Sequence, residues 1–153
     1  MSKLNEECGI FGIFEAEEAA VHTTLGLHAL QHRGQEGAGI VSFDGKSFYS
    51  IKKEGLVGDN FNNTEILSQL PGNTAIGHVR YSTTGESKSE NLQPLFANLA
   101  LGGFACAHNG NLTNTVSLKK QLVDTGSIFQ TTSDTELILQ LVARSKKQKL
   151  MDK

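Results

Sequence analysis

The stretch GIVSFDGKSFYSI, residues 39 to 51, constrains the fold of this 153-residue chain more than any other. Two alternating apolar runs flank Asp44-Gly45, a pair that takes the positive φ angles of a hairpin turn at little cost. The pattern predicts an antiparallel strand pair. Around it, CGIFGIFE (8–15) is continuously apolar and predicts a strand covered on both faces. Between Glu17 and Arg33, helical spacing of Val21, Leu25, His28 and Ala29 predicts a helix ended by Gly34. A short helix is expected at Thr64–Leu70, before Pro71-Gly72, and a strand at 74–79.

A long polar loop from Arg80 to Gln93 follows. LALGGFACAH (99–108) then reads as a hairpin or bent strand pair, and helices are expected at 115–124 and 134–147. Strand runs separated by helices, in one block without repeats or linkers, predict a layered α+β domain. ELILQLVARSKKQKLMDK has no glycine or proline stop, so the helix is expected to run to the last residue, as at a cut rather than a natural finish.

Charge excludes some functions. A net charge of −2 leaves no electrostatic footprint for nucleic acid. Lys146, Lys147 and Lys149 suit the last turn of a helix, whose dipole favours cations. No stretch is long enough to span a membrane, and residues 1–7 lack the apolar region of a signal peptide. The two cysteines, Cys8 and Cys106, make no disulfide framework. A reducing cytoplasm is the expected compartment, where a lone thiol is inert packing or chemistry.

Four places could carry chemistry, and each has a plain alternative. Cys8 is either a small hydrophobe opening a strand or a nucleophile. As first residue of a mature chain it would have its own α-amine as base, which requires removal of MSKLNEE. Arg80, beyond a strand end and followed by Ser82, Thr83 and Thr84, is either a surface arginine or a bidentate carboxylate clamp. Asn109-Gly110 is either a tight turn or the donor pair of an oxyanion hole. Ser133-Asp134-Thr135-Glu136 fits a capping box, with Ser133 as N-cap and Glu136 reaching back. That leaves the Asp134 carboxylate open to a ligand ammonium.

Two other patterns fail. His28 and His32 are four apart, but lack the intervening glutamate and a third metal ligand. RGQEGAG (33–39) does not match G-x-G-x-x-G and leads from helix to strand, the wrong direction for a dinucleotide loop.

Together CGIFGI (8–13), LQHRGQEGAGI (30–40), GHVRYSTTG (77–85), AHNGNLTN (107–114) and SDTE (133–136) resemble the class II glutamine amidotransferases, which are N-terminal-nucleophile hydrolases. The resemblance spans essentially the whole chain. It implies a four-layer αββα sandwich, incomplete at the C-terminus, with residues 1–7 as a propeptide and 8–153 as the amidotransferase part. It also makes Cys8 the nucleophile and Asn109 and Gly110 the oxyanion hole. Arg80, Thr83 and Asp134 become ligands of glutamine, and Arg33 a support.

The wording HRGQEGAG and HVRYSTTG looks like the branch that aminates phosphoribosyl pyrophosphate at the start of purine synthesis. Sugar-phosphate isomerising relatives such as glucosamine-6-phosphate synthase typically read YRGYDSAG and HTRWATHG. That branch implies a phosphoribosyltransferase domain absent from this sequence. Mg²⁺, in some relatives an iron–sulfur cluster, and a homo-oligomeric assembly are expected only with that domain. The other readings are a non-catalytic glutamine-binding or subunit-interaction module, or the glutaminase domain of another class II amidotransferase such as glucosamine-6-phosphate synthase.

Overall fold

The computed structural model describes residues 8–81, 89–147, 149 and 152. Its elements run β1 (Gly9–Ile13), α1 (Ala19–Ala29), a 3-10 turn (Gln31–Arg33), β2 (Gly37–Phe43), β3 (Phe48–Glu54), α2 (Val57–Asn60) and α3 (Thr64–Ser68). They continue with β4 (Thr74–Arg80), a second 3-10 turn (Ser89–Asn91), β5 (Leu95–Leu99), β6 (Gly102–Cys106), α4 (Thr115–Asp124) and α5 (Thr135–Arg144). One antiparallel sheet has the order β1-β4-β2-β3, and β5-β6 form a second.

The hairpin forms where the alternation places it, but its loop is wider than a two-residue turn. Phe43 pairs with Phe48, and Asp44 Oδ1 accepts the N–H groups of Lys46 and Ser47. The aspartate side chain thus takes over the role of a backbone acceptor.

α1 lies across β1, β2 and β4. It buries Ala19, Ala20, Thr23 and Leu27, not the expected Val21, Leu25, His28 and Ala29. Close approach decides the face. A Cβ on Gly26 would lie 2.3 Å from the Phe11 ring, and one on Gly77 would lie 2.7 Å from Leu27 and Thr23. The small face therefore lets helix and sheet interlock, and Leu25 is left 62% exposed. The helix also stops at Ala29 rather than Arg33, and Gly34 closes the 3-10 turn instead. Leu27, Ile40, Val57, Phe61 and Val79 fill this layer, each contributing about 1.5–3 kcal/mol by burial.

β1 is not covered on both faces. It is an edge strand, and Ile10 and Phe14 remain exposed at 39% and 74%. The second sheet reaches the β3 side of the first, where the Phe48 and Phe96 rings meet at 5.1 Å. α5 packs on β5, so the layers read helix, sheet, sheet, helix. α5 does not run to the last residue. Ser145 is extended at ψ 129°, and the Arg144 guanidinium binds Thr125 and Ser127 beyond the end of α4. Lys146, Lys147 and Lys149 therefore lie outside any α-helical last turn.

His78 faces the second sheet between Ile10 and Gly39, is 1% exposed, and among the described residues neither ring nitrogen makes a well-aligned hydrogen bond. Burial, and next the Arg80 charge, push its pKa down to about 4. An unfolded chain takes up a proton near pH 6.5 that the folded chain refuses until about pH 4, so stability is complete above that window and falls as pH drops through it. Acidification from pH 7 to 5 is expected to cost on the order of 2 kcal/mol through this residue. Denaturant unfolding of His78→Gln beside the parent checks it, because the variant should lose that part of the pH slope.

Candidate active site

Cys8 is held at the mouth of the first sheet by contacts from Arg33, Tyr81 and Asn109. Its N–H donates to Arg33 O at 3.1 Å, and Arg33 Nε donates back to Cys8 O at 2.7 Å. Tyr81, the first residue after β4, brackets the sulfur: its N–H lies 3.4 Å from Sγ and its carbonyl 3.5 Å away. An N–H directed at sulfur favours the thiolate, and the carbonyl can accept from the thiol. Cys106 contrasts with this. It lies on β6, and burial pushes its thiol up to about 11, which suits packing and not attack. Neither cysteine forms a disulfide.

RGQEGAG turns out to be the platform under this site. Arg33 anchors Cys8. A Cβ on Gly34 would fall 2.6 Å from the Arg80 carbonyl carbon, so only glycine lets the 3-10 turn sit against β4. Glu36 Oε2 lies 3.6 Å from Arg80 Nε, and the Glu36 N–H donates to Arg80 O. Arg80 Nη1 in turn donates to Asn91 O at 3.4 Å.

Asn109 Nδ2 donates to the Cys8 carbonyl at 3.3 Å, which places a primary amide beside the thiol residue. Gly110 has φ 139°, a conformation open to glycine. Asp134 Oδ2 accepts the Leu112 N–H at 2.8 Å, and Oδ1 lies 3.5 Å from His108 Nδ1. Its carboxylate therefore braces the 108–112 loop, with lone pairs left for a further donor.

The capping box forms differently from its sequence. The Ser133 hydroxyl accepts the Thr135 N–H at 3.3 Å. The Glu136 carboxylate accepts from Gln130 N, Thr131 N and Thr131 Oγ1, because the preceding loop offers donors that Ser133 does not.

Cys8, Arg80, Asn109, Gly110 and Asp134 all line one cavity of about 510 Å³. Arg33 stands behind it. Thr83 lies outside the described residues, as do residues 1–7. Tyr81, Asn91, Gln93, His108 and Lys119 also line the cavity, and sequence reasoning did not single them out. For Asn91 and Gln93 a signal existed, since two amides flank Leu92 in alternation just before a proline. Among the described residues no group of three metal-ligating side chains occurs, and no helix is long and apolar enough to cross a membrane.

Residues 63–152 match the family described as a glutamine amidotransferase domain. The chain is 61% identical to the amidophosphoribosyltransferase of Rhizobium etli, over 94% of this chain and 29% of that protein. It is 52% identical to the amidophosphoribosyltransferase of Lacticaseibacillus casei, over 92% of this chain and 73% of that one. A solved structure described as the allosteric regulatory enzyme of purine biosynthesis matches with a TM-score of 0.88 at 52% identity, over 94% of this chain and 31% of that chain.

Proposed function

Because the chain belongs to the glutamine amidotransferase domain family and, within it, to the amidophosphoribosyltransferases, we propose that it hydrolyses glutamine at Cys8. The ammonia is used to aminate phosphoribosyl pyrophosphate in purine synthesis, through the part of the relatives that this chain does not span. The fold is α+β, of the N-terminal-nucleophile hydrolase type. One observation carries the reading: five residues from four separate stretches of sequence, Cys8, Arg80, Asn109-Gly110 and Asp134, line a single cavity.

The chemistry follows from what those groups are. The Cys8 amine, exposed once residues 1–7 are removed, takes the thiol proton, and the thiolate attacks the side-chain amide carbon. Negative charge develops on the amide oxygen, where Asn109 Nδ2 and the Gly110 N–H can donate to it. The amide nitrogen leaves as ammonia with the proton the amine holds, and water hydrolyses the γ-glutamyl thioester. Arg80 holds the α-carboxylate and Asp134 the α-ammonium, with Thr83 as a further contact. The glutaminase step needs no cofactor, and Mg²⁺ belongs with the pyrophosphorylated sugar. A homo-oligomer working in the cytoplasm, or another reducing compartment, suits the reading.

Arg80→Lys tests the clamp. It keeps the charge but loses the planar fork, so it should raise glutamine KM by on the order of ten- to a hundred-fold. Ammonia-dependent synthesis in the complete protein should survive. An unchanged KM would remove Arg80 from the glutamine site.

A further inference from the structure

Between Ser89 and β5 the chain passes through Asn91, Leu92 and Gln93, and all three are buried. The segment is seated on the platform glycines. A Cβ on Gly37 would meet Leu92 at 2.5 Å, and one on Gly39 would meet Gln93 O at 2.2 Å. Its two amides then reach in different directions. Asn91 Nδ2 donates to Thr132 Oγ1 at 2.8 Å and Asn91 Oδ1 accepts the Thr132 N–H at 3.0 Å, while its own carbonyl accepts from Arg80. Gln93 Oε1 accepts the His108 N–H at 2.7 Å and its Nε2 donates to His108 O at 3.3 Å.

A primary amide presents a donor and an acceptor side by side, so it can pair with a loop's main chain as a neighbouring strand would. Both side chains are 4% exposed, where an unmatched donor or acceptor is costly and the paired register is held. One residue thus touches Arg80 and the loop two residues before Asp134. The other grips the residue directly before Asn109.

We propose that Asn91 and Gln93 are positioning residues that set the two halves of the site separately. Asn91 fixes the spacing between the carboxylate and ammonium clamps, and Gln93 fixes the oxyanion loop. The proposal rests on the glutaminase reading above. Its consequence is a kinetic split. Displacing a clamp loosens ground state and transition state alike, whereas displacing an oxyanion donor is felt only where negative charge develops.

The test uses near-isosteric apolar replacements in the complete protein. Asn91→Leu should raise glutamine KM at least about ten-fold and lower kcat less than about three-fold, and Gln93→Met should do the reverse. Gln93→Glu keeps the acceptor for the His108 N–H but turns a second acceptor on His108 O, so its kcat should fall at least as far as that of Gln93→Met. Where either apolar variant fails to fold, Thr132→Val and Gln93→Glu decide, since each keeps volume and removes one donor or acceptor.

KM and kcat changing together in either variant, or neither parameter changing in either variant, would overturn the proposal and leave the glutaminase reading intact. Glutamine hydrolysis surviving in Cys8→Ala would instead remove that reading, so the two failures are distinguishable.

Discussion

Asn109→Asp is expected to lower glutamine-dependent kcat by more than about 10²–10³, the usual cost of losing one oxyanion donor. The residue is exposed and lies in the loop just before the bend at Gly110, and aspartate accepts such loop geometry as readily as asparagine. Stability should therefore change by less than about 1 kcal/mol. The amide that donates to the Cys8 carbonyl becomes a carboxylate. An acceptor then faces an acceptor, and a negative charge faces the thiolate and the developing oxyanion. Repulsion should carry the loss beyond simple deletion of the donor.

Thermal unfolding and ammonia-dependent synthesis serve as folding controls. Near-normal glutaminase turnover in a stable Asn109→Asp protein would reduce Asn109-Gly110 to a turn. It would also take Asn109 out of the proposed oxyanion hole.

Much of this site was legible because its parts are short local signals. A strand end followed by Arg80, an Asn-Gly pair after β6 and an acidic residue opening α5 each show in a few residues. The hairpin was legible for the same reason, since alternation and turn chemistry are local.

What the sequence concealed depends on contacts between distant stretches. The face of α1 was misread because Leu25 looks like a core residue until Gly26 and Gly77 let the sheet close on the small side. The platform role of RGQEGAG was invisible, because Gly34 needs Arg80 in place before its missing Cβ matters. Glu136 looked like a cap, yet its carboxylate serves the loop before Ser133. Asn91 and Gln93 were missed because their partners lie 41 and 15 residues away.

The second large effect concerns the amine of Cys8. With the preceding peptide bond intact, Cys8 has φ 59°, a left-handed conformation that costs a non-glycine residue about 1–2 kcal/mol. That torsion would cease to exist if the bond to residue 7 were cut, so the proposed removal of residues 1–7 would relieve strain at Cys8 itself. The nitrogen that this cleavage would free is the one that donates to Arg33 O, while Arg33 Nε fixes the carbonyl of the same residue. The α-amine, with an ordinary pKa of roughly 7.7–8.0, is matched to a thiol of about 8.5. As an amide the same nitrogen cannot take a proton. A positioned general base typically contributes about 10²–10⁴ in rate, so protein that keeps residues 1–7 should hydrolyse glutamine slower by that factor.

Intact mass measured on separated active and inactive species tests the central claim most directly. The account predicts that the species hydrolysing glutamine begins at Cys8, and that protein retaining MSKLNEE is at least about a hundred-fold slower. A species that retains all seven residues and turns over glutamine as fast as the processed one would contradict it.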